Sequence, residues 1–278
     1  MTKDRQKQLA DAFRAMHRGP LLLLPNAWDA MSARQFEAAG FPAIATTSGG
    51  VAWALGHADG EKTPWHEVVA ATERIARTVR VPVTADIEAG YGATPADVGK
   101  SAAEIIRTGA VGFNLEDGTP RPDMPVRPIG DAVARIRAAR QAATQAEIPA
   151  VINARIDLYL KNVGDPADRF DEAVTRAKAY LAAGADCIYP FGAIDMETVQ
   201  RLAKAIPSPI NIVARAGTPP VAELQKIGVA RVTIASGATL AVMSLIKTIA
   251  DSLHKGTFDG IGHSMNRPEA QKLFEPRD

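Results

Sequence analysis

The sequence predicts a (β/α)8 barrel of the TIM type, on three observations. There are eight short apolar runs, helical periodicity fills most of the gaps between them, and a glycine or proline marks the entry to each run. The runs are too continuously apolar for the strands of a half-exposed antiparallel sheet. Eight units within about 230 residues fit a closed barrel better than a doubly wound sheet, and no dinucleotide fingerprint follows the first run.

Four runs follow a helix that glycine stops. These are "EAAGFPAIATTSG" at Gly40, "IRTGAVGFNLED" at Gly109, "LAAGADCIYPF" at Gly184 and "QKIGVARVTIASG" at Gly228, where a left-handed residue ends the helix without steric cost. The other four are entered through Pro20, Pro82, Pro149 and Pro209, since proline is tolerated as a strand's first residue. In "ATPADVGKSAAEIIRTG", Thr94 caps a helix, Pro95 takes its first position and Asp97 lies in its first turn. Ile105 and Ile106 then face inward.

The chain reads as one domain in three parts. Residues 1–19 carry Leu9, Phe13 and Met16 at helical spacing, a helix that plugs the bottom of the barrel. Residues 20–237 form the barrel core. Residues 238–278 are a helix and tail, with Leu240, Met243, Ile246, Ile249 and Leu253 on one stripe that packs either on this barrel or on another subunit's.

Composition narrows the function. A 46% hydrophobic chain of 278 residues has material for one large core, and 32 basic against 31 acidic residues offer no field for nucleic acid or an anionic membrane. The single cysteine, Cys187, excludes an intrachain disulfide and a multi-cysteine metal cluster, and its neighbours mark it as a buried small hydrophobe. The "LLLL" run is too short to span a membrane, so the expectation is a soluble cytoplasmic protein.

In a barrel, chemistry belongs at the C-terminal ends of the strands. Polar residues concentrate there: Thr47, Ser48 and Gly49; Asp86 and Glu88; Glu116; Arg155; Asn211. On a strand, residues two apart share a face, so Asp86 and Glu88 are expected to enter the barrel mouth together, with Glu116 arriving from the next strand. An oxygen-only cluster without histidine or thiol suits Mg²⁺, or Mn²⁺, better than zinc. The plain alternative is that Asp86 and Glu88 cap a helix or pair with rim arginines. Arg155 offers a planar fork for a substrate carboxylate or phosphonate, or pairs with Asp157 or Glu116. The "TTSGG" turn offers backbone N–H groups and the Thr47 and Ser48 hydroxyls to an anionic oxygen.

Five motifs in order, "TTSGG", "ADIEAGYG", "NLEDG", "INARIDLYL" and "AAGADCIYPF", resemble the isocitrate lyase and phosphoenolpyruvate mutase superfamily over roughly residues 20–240. The resemblance implies a modified barrel whose last helix is exchanged between subunits, giving a homo-oligomer, a dimer or tetramer. It implies Mg²⁺ near Asp86, Glu88 and Glu116, a 2-oxo acid or dicarboxylate as small-molecule partner, and its carboxylate on Ser48 and Gly49. By the same resemblance Arg155 stabilises the enolate oxygen, and Asp59 matches an aspartate of the metal neighbourhood.

Three departures narrow the reaction. "EDGTPRPDMPVRP" replaces the "KKCGH"-like loop of lyases that split isocitrate or methylisocitrate, Phe191 stands where those lyases carry glutamate, and the Lys-x-Asn-Ser-like gating loop of phosphonate enzymes is missing. The enolate-stabilising half of the site survives without a recognisable acid–base half. C–C cleavage of a small 2-oxo or 2-hydroxy dicarboxylate follows, with oxaloacetate decarboxylation its simplest form. C–P chemistry on phosphonopyruvate and a non-catalytic 2-oxo acid sensor are the alternatives.

Overall fold

The first barrel strand is broken. In a computed structural model that describes residues 1–193, 195–262 and 264–275, it divides at Pro25 into β1 (Leu22–Leu24) and β2 (Asn26–Ala27). Pro25 has no N–H to donate, but its carbonyl accepts from Ala45 at 2.9 Å, so the chain changes partners there without leaving the ring. The strands β3 (Ile44–Thr46), β4 (Val83–Asp86), β5 (Gly112–Glu116), β6 (Val151–Ile156) and β7 (Cys187–Pro190) continue in parallel from β2. β8 (Asn211–Val213) and β9 (Arg231–Thr233) pair with each other, and β9 pairs with β1. A parallel bridge between Ile188 and Ile210 joins β7 to β8 and closes the barrel.

Around it run α1 (Lys3–Met16), α2 (Ala30–Ala38), α3 (Ser48–Ala54), α4 (Trp65–Thr78), α5 (Pro95–Arg107), α6 (Ile129–Ala146), α7 (Arg169–Ala182), α8 (Met196–Ala205) and α9 (Val221–Lys226), then α10 (Gly237–His254) and α11 (Arg267–Lys272). The predicted stops hold: Gly40, Gly109, Gly184 and Gly228 all have φ between 88° and 109°. Thr94 and Asp97 form a reciprocal capping box at the start of α5, and Ile105 and Ile106 are buried.

Helix α1 closes the bottom as predicted, with Leu9 and Phe13 buried in the core. A Cβ at Gly112 would stand 2.7 Å from the Val151 carbonyl and 3.2 Å from the Phe13 ring, so β5 needs glycine there first for its neighbouring strand and then for the plug. Above Phe13, the fully buried Arg231 crosses the lumen from β9 toward β5. Its Nη2 lies 3.4 Å from Asn114 Oδ1, which also accepts from Asn153 at 2.7 Å. Among the described residues no carboxylate pairs with it, and burial pulls its pKa down.

The stripe on α10 does not pack on its own barrel. Leu240, Met243, Ile246 and Leu253 are about half exposed, and only Ile249 is more covered. No described helix is long and apolar enough to cross a membrane. The tail's last three residues, 276–278, lie outside the described residues.

Candidate active site

The mouth of the barrel is built from four neighbouring strand ends. After β3, Thr47 Oγ1 lies 2.8 Å from Ser236 Oγ, and α3 begins at Ser48 without a side-chain cap. A Cβ on Gly49 would come within 3.0 Å of Ser236 Oγ and 3.1 Å of Asp59 Oδ2. Glycine at 49 therefore lets a hydroxyl and a carboxylate close on the backbone. Gly50 has even less room: a Cβ there would meet Thr47 at 2.5 Å and Thr239 at 2.6 Å.

At the end of β4, the Asp86 N–H donates to Thr46 Oγ1 at 2.8 Å. Among the described residues its carboxylate accepts only long bonds, from the N–H groups of Ser48 and Glu88, each at 3.4 Å. Burial pushes its pKa up and Asp59 adds to the rise, while Arg155 opposes it.

The expectation that Asp86 and Glu88 share a strand face is corrected here. β4 ends at Asp86, and Glu88 has φ 51°, so strand alternation does not reach it. A loop lattice holds Glu88 instead. Oε1 accepts from the Tyr91 hydroxyl at 2.7 Å, Oε2 accepts from the Glu61 N–H at 2.7 Å, and the Tyr91 N–H donates to Glu61 Oε1 at 2.6 Å. Glu61 and Tyr91 are also left-handed, at 56° and 49°. Three non-glycine residues in that region cost about 1–3 kcal/mol each, which the shared hydrogen bonds offset. Burial lifts the Glu88 carboxyl to about 7, against the Tyr91 bond and with the help of Asp86 and Asp59.

At the ends of β5 and β6 the charges are paired. Arg155 Nε and Nη2 reach Asp157 Oδ1 and Oδ2 at 2.6 and 3.1 Å, and Nη1 reaches Glu116 Oε2 at 2.7 Å. The ion pairing foreseen with Asp157 or Glu116 is made with both acids. Its guanidinium also lies 4.1 Å over the ring of Phe191, which packs edge-on against Tyr189. Burial raises the Glu116 pKa well above the usual range, with Arg155 opposing and Asp157, Asp86 and Glu88 contributing.

Asp59, Asp86, Glu88, Glu116 and Arg155 thus form one electrostatic group, and the Ser48 N–H ties the Thr47–Gly49 turn to it. Asn211 is completely buried. Its Oδ1 lies 3.5 Å from the Thr233 hydroxyl, and its Nδ2 has no hydrogen-bond partner among the described residues. Cys187 is buried and its thiol is pushed up to about 12, so it holds its proton at neutral pH. The 118–130 loop is tied down by a bridge between Gly118 and Val126, with the Thr119 N–H donating to the Pro125 carbonyl at 2.9 Å.

The donor set fits a hard divalent cation. Crowded carboxylates with raised pKa values gain from a positive charge, and Asp86 is the least satisfied of them. Among the described residues no three acidic, histidine or cysteine side chains stand close enough to complete a coordination shell. Mg²⁺ tolerates that, because it usually keeps several waters and takes one or two carboxylates.

Ser236, Tyr91 and Phe191 belong to the site, yet sequence reasoning assigned them no role. The signal for Tyr91 was its place between Gly90 and Gly92. Phe191 was legible only as a departure from glutamate.

A model of the phosphoenolpyruvate phosphomutase family matches residues 13–254. The chain is 28% identical to the oxaloacetate decarboxylase of Chromohalobacter salexigens, over 92% of this chain and 88% of that protein. It superposes on the crystal structure of a Burkholderia cenocepacia J2315 protein described as a lyase/mutase with a TM-score of 0.91, at 32% identity over 99% and 98% of the two chains. The crystal structure of 2,3-dimethylmalate lyase matches with a TM-score of 0.82, at 26% identity over 95% and 94%.

Proposed function

The chain belongs to the phosphoenolpyruvate phosphomutase family, within the isocitrate lyase superfamily of C–C lyases and mutases, and from that premise we propose that it is a Mg²⁺-dependent lyase that decarboxylates oxaloacetate or a close 2-oxo dicarboxylate. The observation that carries the reading is the fixed Arg155 fork within electrostatic reach of the Asp86 carboxylate, in a chain with no cysteine but the buried, protonated Cys187. Decarboxylation suits such a site. The C3–C4 bond breaks, carbon dioxide leaves and the electron pair moves onto the C2 oxygen without a general base; the enolate then takes a proton from water at C3 to give pyruvate.

Asp86 would hold Mg²⁺, with Glu88 and Glu116 acting through water because hydrogen bonds or Arg155 already engage them. The ion would supply Lewis-acid stabilisation of developing negative charge. The chain's own part is orientation and charge. The Gly49 N–H, and the Ser48 N–H once it leaves its long 3.4 Å bond to Asp86, receive the substrate carboxylate beside Thr47, Ser236 and Asp59. Arg155 presents the N–H bonds that Asp157 does not take to the C2 oxygen as charge accumulates there, an interaction stronger in the transition state than in the ground state. Asn211 offers its unpartnered amide. The exposed stripe of α10 would be covered by a second copy of the chain.

The family's mutase name keeps C–P chemistry on phosphonopyruvate as the second reading. An NMR time course with Mg²⁺ separates the two. Pyruvate forming from oxaloacetate faster than with Mg²⁺ alone is the expected result. Turnover of phosphonopyruvate with oxaloacetate left at the background rate would replace it with the second reading.

A further inference from the structure

We propose that Asp157 is the positioning residue for Arg155 and that Gly118 makes room for it. The proposal rests on the reading of Arg155 as the group that meets the developing oxyanion.

Asp157 is completely buried and both of its oxygens are already engaged by Arg155, so its carboxylate meets no ligand directly. A two-point contact with a planar guanidinium fixes tilt and rotation together. Glu116 makes a one-point contact, and Phe191 covers one face of the fork. Asp157 is therefore the group that sets the plane in which the remaining N–H bonds of Arg155 point.

The backbone beneath it is anchored from outside the barrel. The Asp157 N–H donates to Asp117 Oδ1 at 2.9 Å, and the Asp117 N–H donates to the Arg155 carbonyl at 3.1 Å. Asp117 Oδ2 accepts from the Tyr180 hydroxyl at 2.6 Å and from Arg176 at 3.0 Å, both on α7. A continuous buried chain thus runs from α7 through Asp117 and Asp157 to Arg155. Gly118 is the remaining condition: a Cβ there would overlap Asp157 Oδ2 outright and would lie 3.5 Å from Glu116 Oε1.

A double-mutant cycle in the full chain with Mg²⁺ tests this, reading oxalate affinity by calorimetry, with oxalate as a planar mimic of an enolate. Arg155→Lys and Asp157→Asn should each weaken oxalate by about tenfold or more, and the double variant should be no weaker than Arg155→Lys within about twofold. Gly118→Ala, a second route to the same displacement, should match Asp157→Asn. A crystal structure of Asp157→Asn should show the Arg155 guanidinium rotated out of its present plane. Additive losses, wild-type affinity in Asp157→Asn or an unmoved guanidinium would each overturn the proposal. Arg155→Lys binding oxalate like wild type would instead overturn the reading of Arg155, and the crystal structure would still decide whether Asp157 sets its position.

Discussion

The end of β4 and the joined ends of β5 and β6 carry the same kinds of side chain and treat them in opposite ways. At β5 and β6, Glu116 and Asp157 share the Arg155 guanidinium, and Asp117 is tied to Arg176 and Tyr180. At β4, Asp86 accepts only long backbone hydrogen bonds among the described residues and Glu88 is raised to about 7. One side of the mouth ties its acids to buried guanidiniums and is a rigid reference, although burial still raises Glu116 and Asp117. The other retains uncompensated acid, which destabilises the protein alone and creates affinity for a cation.

The largest expected effect comes from removing the open side. Asp86→Ala should bring oxaloacetate decarboxylation down to the rate of Mg²⁺ alone, measured as pyruvate formation by NMR. Full turnover by this variant, or by wild type in excess chelator, would show that the two sides do not divide the work as described.

Next comes the compensated side. Arg176→Ala strips Asp117 of its buried cation and should lower stability by about 3–5 kcal/mol in urea unfolding, the usual result of leaving one partner of a buried pair alone. A loss comparable to a surface ion pair, below about 1 kcal/mol, would mean that this side is no more rigid than the other.

A smaller effect should appear with pH. The folded state holds the Glu88 proton more tightly than the unfolded chain does, with its carboxyl lifted from 4.5 to about 7. Its contribution to metal-free stability is therefore complete below about pH 4.5 and is lost as pH rises through about 7, on the order of 3 kcal/mol at most. Burial moves Asp86 and Glu116 in the same direction. Added Mg²⁺ should thus raise the urea midpoint more at pH 8 than at pH 5. An equal gain at both values would separate the raised carboxyls from the cation.

The smallest effect sharpens the comparison within the compensated side. Phe191→Leu removes the aromatic face under Arg155 but leaves its carboxylates, so oxalate affinity should fall only a few-fold, about 1 kcal/mol. A loss matching that of Asp157→Asn would make Phe191, not the carboxylate fork, the main restraint on Arg155.

Much of this was legible in the chain because its causes are local. Gly40, Gly109, Gly184 and Gly228 stop helices since only the residue's own φ matters there. Thr94, Pro95 and Asp97 start a helix through groups within one turn of one another. The pairing of polar residues with strand ends follows from barrel topology once eight strands are counted, which is how Asp86, Glu116 and Arg155 were found together.

What tertiary structure alone decided depends on atoms distant in sequence. Glu88 left the strand face because Glu61 and Tyr91, on two loops, hold it in a left-handed conformation. Phe191 became a platform because the β6–β7 register sets Arg155 beside Tyr189. The α10 stripe could be read as apolar, but its exposure emerged only when the barrel proved complete without it. A carboxylate is written the same way whether a guanidinium, a cation or water will neutralise it. The choice between Asp157, which is paired, and Asp86, which is left open, is made by distances of a few ångströms between strands that the chain order keeps tens of residues apart.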